Sequence, residues 1–180
     1  MTAARLPGDP SPEKAVERMI RVDHAGEYGA VRIYEGQLAV LGKSASSSVI
    51  SEMAEQERRH LERFEKLVHE HRVRPTALSP LWHVAGYALG AASALLGERA
   101  AMACTVAVEE VIDQHYRDQA EHLGDSDPGL SAAIETFRAE EAQHRATALE
   151  YGATETLGYE LISAVVKTGS RLAIWLSTRL

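Results

Sequence analysis

The feature that most restricts this chain is a pattern it carries twice: a lone Glu, then about thirty residues later a Glu-x-x-His. The first copy is Glu27 with Glu57-Arg58-Arg59-His60, and the second is Glu109 with Glu141-Ala142-Gln143-His144. The lone glutamates are 82 residues apart and the paired ones 84. Helical faces decide whether this repeat matters. An apolar stripe on a helix advances by three or four residues. One such stripe runs Val16, Ile20, Asp23, Glu27, Val31, Tyr34, Leu38, and another runs Val49, Met53, Glu57, His60, Phe64, Leu67. A third reads Met102, Thr105, Glu109, Ile112, Tyr116, Leu123, and a fourth Leu130, Ile134, Phe137, Glu141, His144, Ala148. Each is interrupted near its middle by a Glu, and in two of them a His follows on the same face at i+3.

Burial turns the pattern into chemistry. An ionised carboxylate in an apolar interior costs several kcal/mol unless it is paired or metal-bound. Four at one level repel one another. Two divalent cations would balance the four glutamates, with two neutral imidazoles completing the set. A Glu from each of two helices and a Glu-x-x-His from each of the other two is the ligand set of a dinuclear carboxylate centre in a four-helix bundle. Oxygen-rich ligation with two nitrogens suits iron or manganese, whereas structural zinc takes closed tetrahedral sites rich in N and S.

The rest of the chain agrees with an all-α fold. Its 180 residues suit a single domain with a real core, and no run alternates with strand period. Residues 1–11 read as a flexible amino terminus. Ser11 is placed to cap a first helix with Pro12 at its first position, and that helix should end near Gly42. Ser44–Ser48, Arg74-Pro75, Ser79-Pro80 and Gly124–Gly129 read as breaks. The lone cysteine, Cys104, excludes a disulfide framework or a Cys-rich metal site and reads as a small buried hydrophobe. A formal charge of −7 argues against nucleic acid as a partner, and no phosphate-binding or dinucleotide loop is present. Any reductant is therefore bound transiently or delivered by a partner.

Two segments fall outside the ligand helices. Pro75 to Gly97 contains no Asp, Glu, Lys or Arg, and within it Leu81–Gly97 reads as an apolar helix bearing Trp82 and Tyr87. Seventeen residues are short for a span. Leu157–Leu180 reads as an amphipathic helix with Trp175 and a net charge of +2 from Lys167, Arg171, Arg179 and Glu160. A basic amphipathic helix with Trp suits a membrane surface. Peripheral membrane contact is the favoured reading, with ordinary packing or an oligomer interface as the alternatives.

Longer motifs carry a resemblance. Arg21-Val22-Asp23-His24-Ala25-Gly26-Glu27-Tyr28-Gly29-Ala30, Arg72–Thr76, Ala103–Glu110, Phe137–Glu141 and the closing Arg171-Leu172-Ala173-Ile174 resemble the demethoxyubiquinone hydroxylases from about Glu17 onward. That resemblance implies a ferritin-like bundle, peripheral to the membrane, that hydroxylates a polyprenyl methoxy-methyl-benzoquinol in the penultimate step of ubiquinone biosynthesis. It uses O₂ at a carboxylate-bridged di-iron centre fed by an external electron donor. Glu27, Glu57 and His60 would then hold one iron and Glu109, Glu141 and His144 the other, with Glu57 and Glu141 bridging. The His115-Tyr116 pair resembles a family pair that could relay protons or electrons. Asp23 and Asp113, each one turn from a lone glutamate, are placed to orient the ligand imidazoles. The amino terminus has no apolar or Arg-rich leader and resembles the bacterial members, which implies the cytoplasmic face of the inner membrane; in a mitochondrion it would be the matrix face. The implied partners are the polyprenyl quinol, the membrane surface and other proteins of ubiquinone biosynthesis. A ferritin- or rubrerythrin-like iron or peroxide oxidase on the same bundle is the competing class. A membrane-associated scaffold with structural glutamates is the non-enzymatic one.

Overall fold

The computed structural model describes residues 11–124 and 127–180, and in them every regular element is a helix. Most of the expected amino-terminal segment (residues 1–10) and part of the Gly124–Gly129 turn lie outside the described residues. The helices are α1 (Pro12–Leu41), α2 (Ser47–Glu70), α3 (Ser79–Leu95), α4 (Glu98–Leu123), α5 (Pro128–Glu150) and α6 (Tyr159–Ser177), with a 3-10 turn at Ala153–Glu155. The punctuation matches local chemistry. Ser11 accepts a hydrogen bond from Lys14 N with Pro12 behind it, and Asp127 accepts one from Leu130 N with Pro128 behind it.

Short links turn α1 back against α2 and α4 back against α5, and these four helices form the bundle. Two apolar clusters fill its ends. One gathers Ile20, Phe64, Leu67, Tyr116, Leu130, Ile134 and Phe137; the other gathers Tyr34, Ile50, Met53, Met102, Val106 and Ala148. The ligand-bearing level lies between them.

The internal repeat extends beyond the bundle. α3 lies along α1, the first helix of its half, and α6 lies along α4, the first helix of the other. The two outer helices meet where Trp82 Nε1 donates to Ser177 Oγ at 2.9 Å. α3 sits unusually close to α1. A Cβ on Gly90 would lie 1.9 Å from Ile33 O, and one on Gly36 would lie 2.2 Å from Tyr87 O. Only glycine permits that approach of two backbones.

The remaining faces of α3 and α6 are apolar and exposed. They show Leu81, Val84 and Leu95 on one helix and Leu161, Val165, Leu172 and Trp175 on the other. Leu95 is 74% exposed. No helix among the described residues is long and apolar enough to cross a membrane.

Candidate metal centre

Each ligand-type side chain is fixed by helix register. Glu27 and Glu109 sit mid-way along α1 and α4, and Glu57/His60 and Glu141/His144 mid-way along α2 and α5. All six are almost fully buried. Their ligand atoms fall into two groups, each within 4.8 Å: Glu27, Glu57, His60 and Glu141 form one, and Glu57, Glu109, Glu141 and His144 the other. Glu57 and Glu141 are common to both. His60 Nδ1 lies 3.1 Å from Glu141 Oε1 and 3.5 Å from Glu27 Oε2. His144 Nδ1 lies 3.0 Å from Glu57 Oε1 and 3.1 Å from Glu141 Oε2. Both imidazoles therefore turn Nδ1 inward, and the His60 ring is stacked on Phe137 at a centroid distance of 4.0 Å.

The surrounding hydrogen bonds repeat with the same offset. The Tyr116 hydroxyl on α4 donates to Glu27 on α1, and the Tyr34 hydroxyl on α1 donates to Glu109 on α4 at 3.0 Å. Positions 34 and 116 are 82 apart, as the lone glutamates are. The outward Nε2 of His60 meets Glu140 Oε2 at 2.5 Å, and that of His144 meets Gln56 Oε1 at 2.5 Å.

Electrostatics show what the cluster lacks. Burial pushes Glu27 up to about 8. Burial, reinforced by the charges of Glu141 and Glu57, holds Glu109 well above the usual carboxylate range. Burial would raise Glu141 too, but hydrogen bonds from His144 and His60 pull it down to about 2. Burial disfavours charge on His144, yet its hydrogen bonds to Glu141 and Glu57 prevail and push it up to about 9. The same opposition, with Glu141, Glu27 and Glu57 as acceptors, holds His60 well above the histidine range. Protons thus stand where compensating positive charge is required. Glu57 Oε1 and His60 Nδ1 are buried without a well-aligned hydrogen bond among the described residues, although His144 Nδ1 lies 3.0 Å from the first and Glu141 Oε1 3.1 Å from the second. Four inward carboxylates, two inward imidazole nitrogens and these orphaned atoms fit a pair of divalent cations.

The outer residues expected from sequence are placed differently. Asp23 Oδ1 meets His115 Nε2 at 3.0 Å and accepts from Gln119 Nε2 at 2.8 Å, and Asp113 pairs with Arg117 and Arg138. Neither aspartate faces a ligand imidazole. Each lies a full turn from a ligand on α1 or α4, while the imidazoles belong to α2 and α5 and present Nε2 to the seam between those two helices. Glu140 and Gln56, one residue before each Glu-x-x-His, occupy that seam. That Tyr34, Gln56 and Glu140 contact ligand side chains was not legible from helical phase, though the offsets of 82 and 84 point to them. Of the expected relay pair, Tyr116 touches Glu27, and His115 belongs to the Asp23–Gln119 network at the edge of the core.

Two openings flank the centre. An apolar cavity of about 330 Å³ lies between α1, α3, α4 and α6. Its walls include Gly26, Ala30, Val108 and Ile112, which neighbour Glu27 and Glu109 along their helices. Leu89 and Ala173 line it from the outer helices. A separate cleft of about 460 Å³ between α2 and α5 is half polar, and His144 and Gln56 form part of its wall.

The sequence profile of the ubiquinone biosynthesis protein COQ7 matches residues 14–177. The chain is 57% identical over 176 residues to the 3-demethoxyubiquinol 3-hydroxylase of Rhodospirillum rubrum, covering 97% of this chain and 83% of the relative. It is 51% identical over 170 residues to the human NADPH-dependent 3-demethoxyubiquinone 3-hydroxylase, mitochondrial, covering 92% and 78%. Identity to the mitochondrial 5-demethoxyubiquinone hydroxylase of Saccharomyces cerevisiae is 38% over 182 residues, covering 92% and 78%.

Proposed function

This chain belongs to the COQ7 family of ubiquinone biosynthesis proteins, and from that premise we propose that it is a 3-demethoxyubiquinol 3-hydroxylase working at a pair of iron ions. The observation that carries the reading is the convergence of six buried ligand side chains into two groups sharing Glu57 and Glu141. Glu27 and His60 would complete one ion's set, and Glu109 and His144 the other's. An iron pair supplies reductive activation of O₂, which no organic side chain here can perform.

The protein's own residues do the rest. The hydroxyls of Tyr116 and Tyr34 hold Glu27 and Glu109 in fixed rotamers. The apolar clusters at each end exclude bulk water from the level between them. A quinol ring suits the apolar cavity, whose size is within the usual range for small-molecule sites. In balance, one ring C–H becomes C–O–H and the second oxygen atom leaves as water, which takes up two electrons and two protons from an external donor. The exposed apolar faces of α3 and α6, with Arg171 on α6 and Arg179 just beyond its end, suit a membrane surface from which a long prenyl tail would enter.

The test is isotopic. Iron-loaded protein given a chemical reductant, a demethoxyubiquinol and ¹⁸O₂ should yield hydroxylated ring carrying one ¹⁸O. Label arising from water, or no hydroxylated product despite two bound irons, overturns the assignment.

A further inference from the structure

The two halves of the ligand set are related by the repeat, but their outer partners differ in chemistry. Glu140 immediately precedes Glu141 and Gln56 immediately precedes Glu57, so the two occupy equivalent positions 84 residues apart. Each reaches across the α2–α5 seam to the imidazole of the opposite half: Glu140 to His60 and Gln56 to His144, both at 2.5 Å. With Nδ1 turned inward, Nε2 carries the hydrogen and donates outward. One imidazole therefore donates to a carboxylate and the other to a neutral amide oxygen. A carboxylate acceptor makes the stronger hydrogen bond and the more basic imidazole.

The surroundings differ in access. His60 lies beneath Phe137, with ring centroids 4.0 Å apart. His144 and Gln56 form part of the wall of the half-polar cleft between α2 and α5. Both imidazoles are buried alike and Glu140 is itself 36% exposed, so the two sides differ in the acceptor and in access from the cleft rather than in screening.

We propose that Glu140 and Gln56 are positioning residues that make the two metal positions unequal. The position served by His60 binds a divalent ion more tightly and favours the more oxidised ion; the position served by His144 fills second and exchanges through the cleft. This rests on the reading of the cluster as a dinuclear centre.

The test uses the full chain stripped of metal and titrated anaerobically with ⁵⁷Fe(II), read by Mössbauer spectroscopy and by stepwise binding constants. Wild type should show one quadrupole doublet at one equivalent and two of equal area at two equivalents. Glu140→Gln, which keeps an acceptor oxygen and the side-chain shape, should weaken the first step roughly tenfold and draw the two steps together. Gln56→Glu should strengthen the second step by a similar factor. The exchanged double variant, Glu140→Gln with Gln56→Glu, keeps the composition and should restore two unequal sites with the filling order reversed. Constants and spectra unchanged across all three variants overturn the proposal, as does a single doublet at every loading in wild type. A wild-type protein that binds no iron overturns the dinuclear reading itself.

Discussion

Loading the centre with metal should expel protons in a number the structure specifies. In the metal-free protein at pH 7 the carboxyl of Glu27 and the imidazoles of His60 and His144 lie on the protonated side of neutrality, and burial with the charges of Glu141 and Glu57 raises Glu109 in the same direction. A metal ligand must be deprotonated, so filling both positions releases at least about three protons per pair of ions. Between pH 6 and 7 the formation constant of the pair should then rise by at least on the order of 10³-fold, one factor of ten for each competing proton. Carboxylates and histidines with ordinary pKa values would release fewer than about one proton per pair at pH 7, because both types are then mostly deprotonated. Mn(II) avoids oxidation during the measurement. Calorimetric titration in phosphate, HEPES and Tris, which differ in ionisation enthalpy, gives the proton count from the slope of apparent enthalpy against buffer enthalpy. A slope below one proton per pair, or equal affinity at pH 6 and pH 7, would refute the claim that buried protons substitute for the metal charge.

The same groups set the stability of the metal-free protein. Glu27 and His144 both have folded values raised above their unfolded ones, so their contribution is fully present below about pH 4.5 and 6.5 respectively and is lost as pH rises through about 8 and about 9. Urea midpoints of chelator-treated protein should therefore be lower at pH 8.5 than at pH 5.5, and metal should reverse that order. Glu141→Ala removes a carboxylate common to both groups and should abolish binding of the ion pair, checked by metal analysis after desalting. Gly90→Ala places a Cβ 1.9 Å from the Ile33 carbonyl, where backbone cannot yield easily. It should cost roughly 2–3 kcal/mol in urea unfolding and perturb the cavity between α1 and α3. Leu161→Lys with Val84→Lys places charges on the exposed faces of α6 and α3 and should weaken binding to liposomes at least about tenfold while leaving metal loading intact. Equal liposome binding by that variant and wild type would remove the membrane-surface proposal.

Sequence periodicity alone determined the four long helices and the burial of one glutamate on each. The argument was electrostatic: four carboxylates on core-facing stripes require compensating positive charge. The Ser11-Pro12 cap was legible for a local reason, since it acts within four residues of itself; the Asp127 cap was legible only as part of a turn. Tertiary structure decided the contacts between halves. Helical phase says which residues share a face, but not which residue of another helix stands opposite. Hence Asp23 and Asp113, correctly phased on α1 and α4, have His115, Gln119 and two arginines as partners, while Glu140 and Gln56 meet the imidazoles across the seam between α2 and α5. The apolar outer segments were likewise visible as segments, but the docking of α3 on α1 was not. That contact depends on two backbones approaching where Gly36 and Gly90 have no Cβ, and a glycine's absence of side chain acquires meaning only once its neighbour is in place.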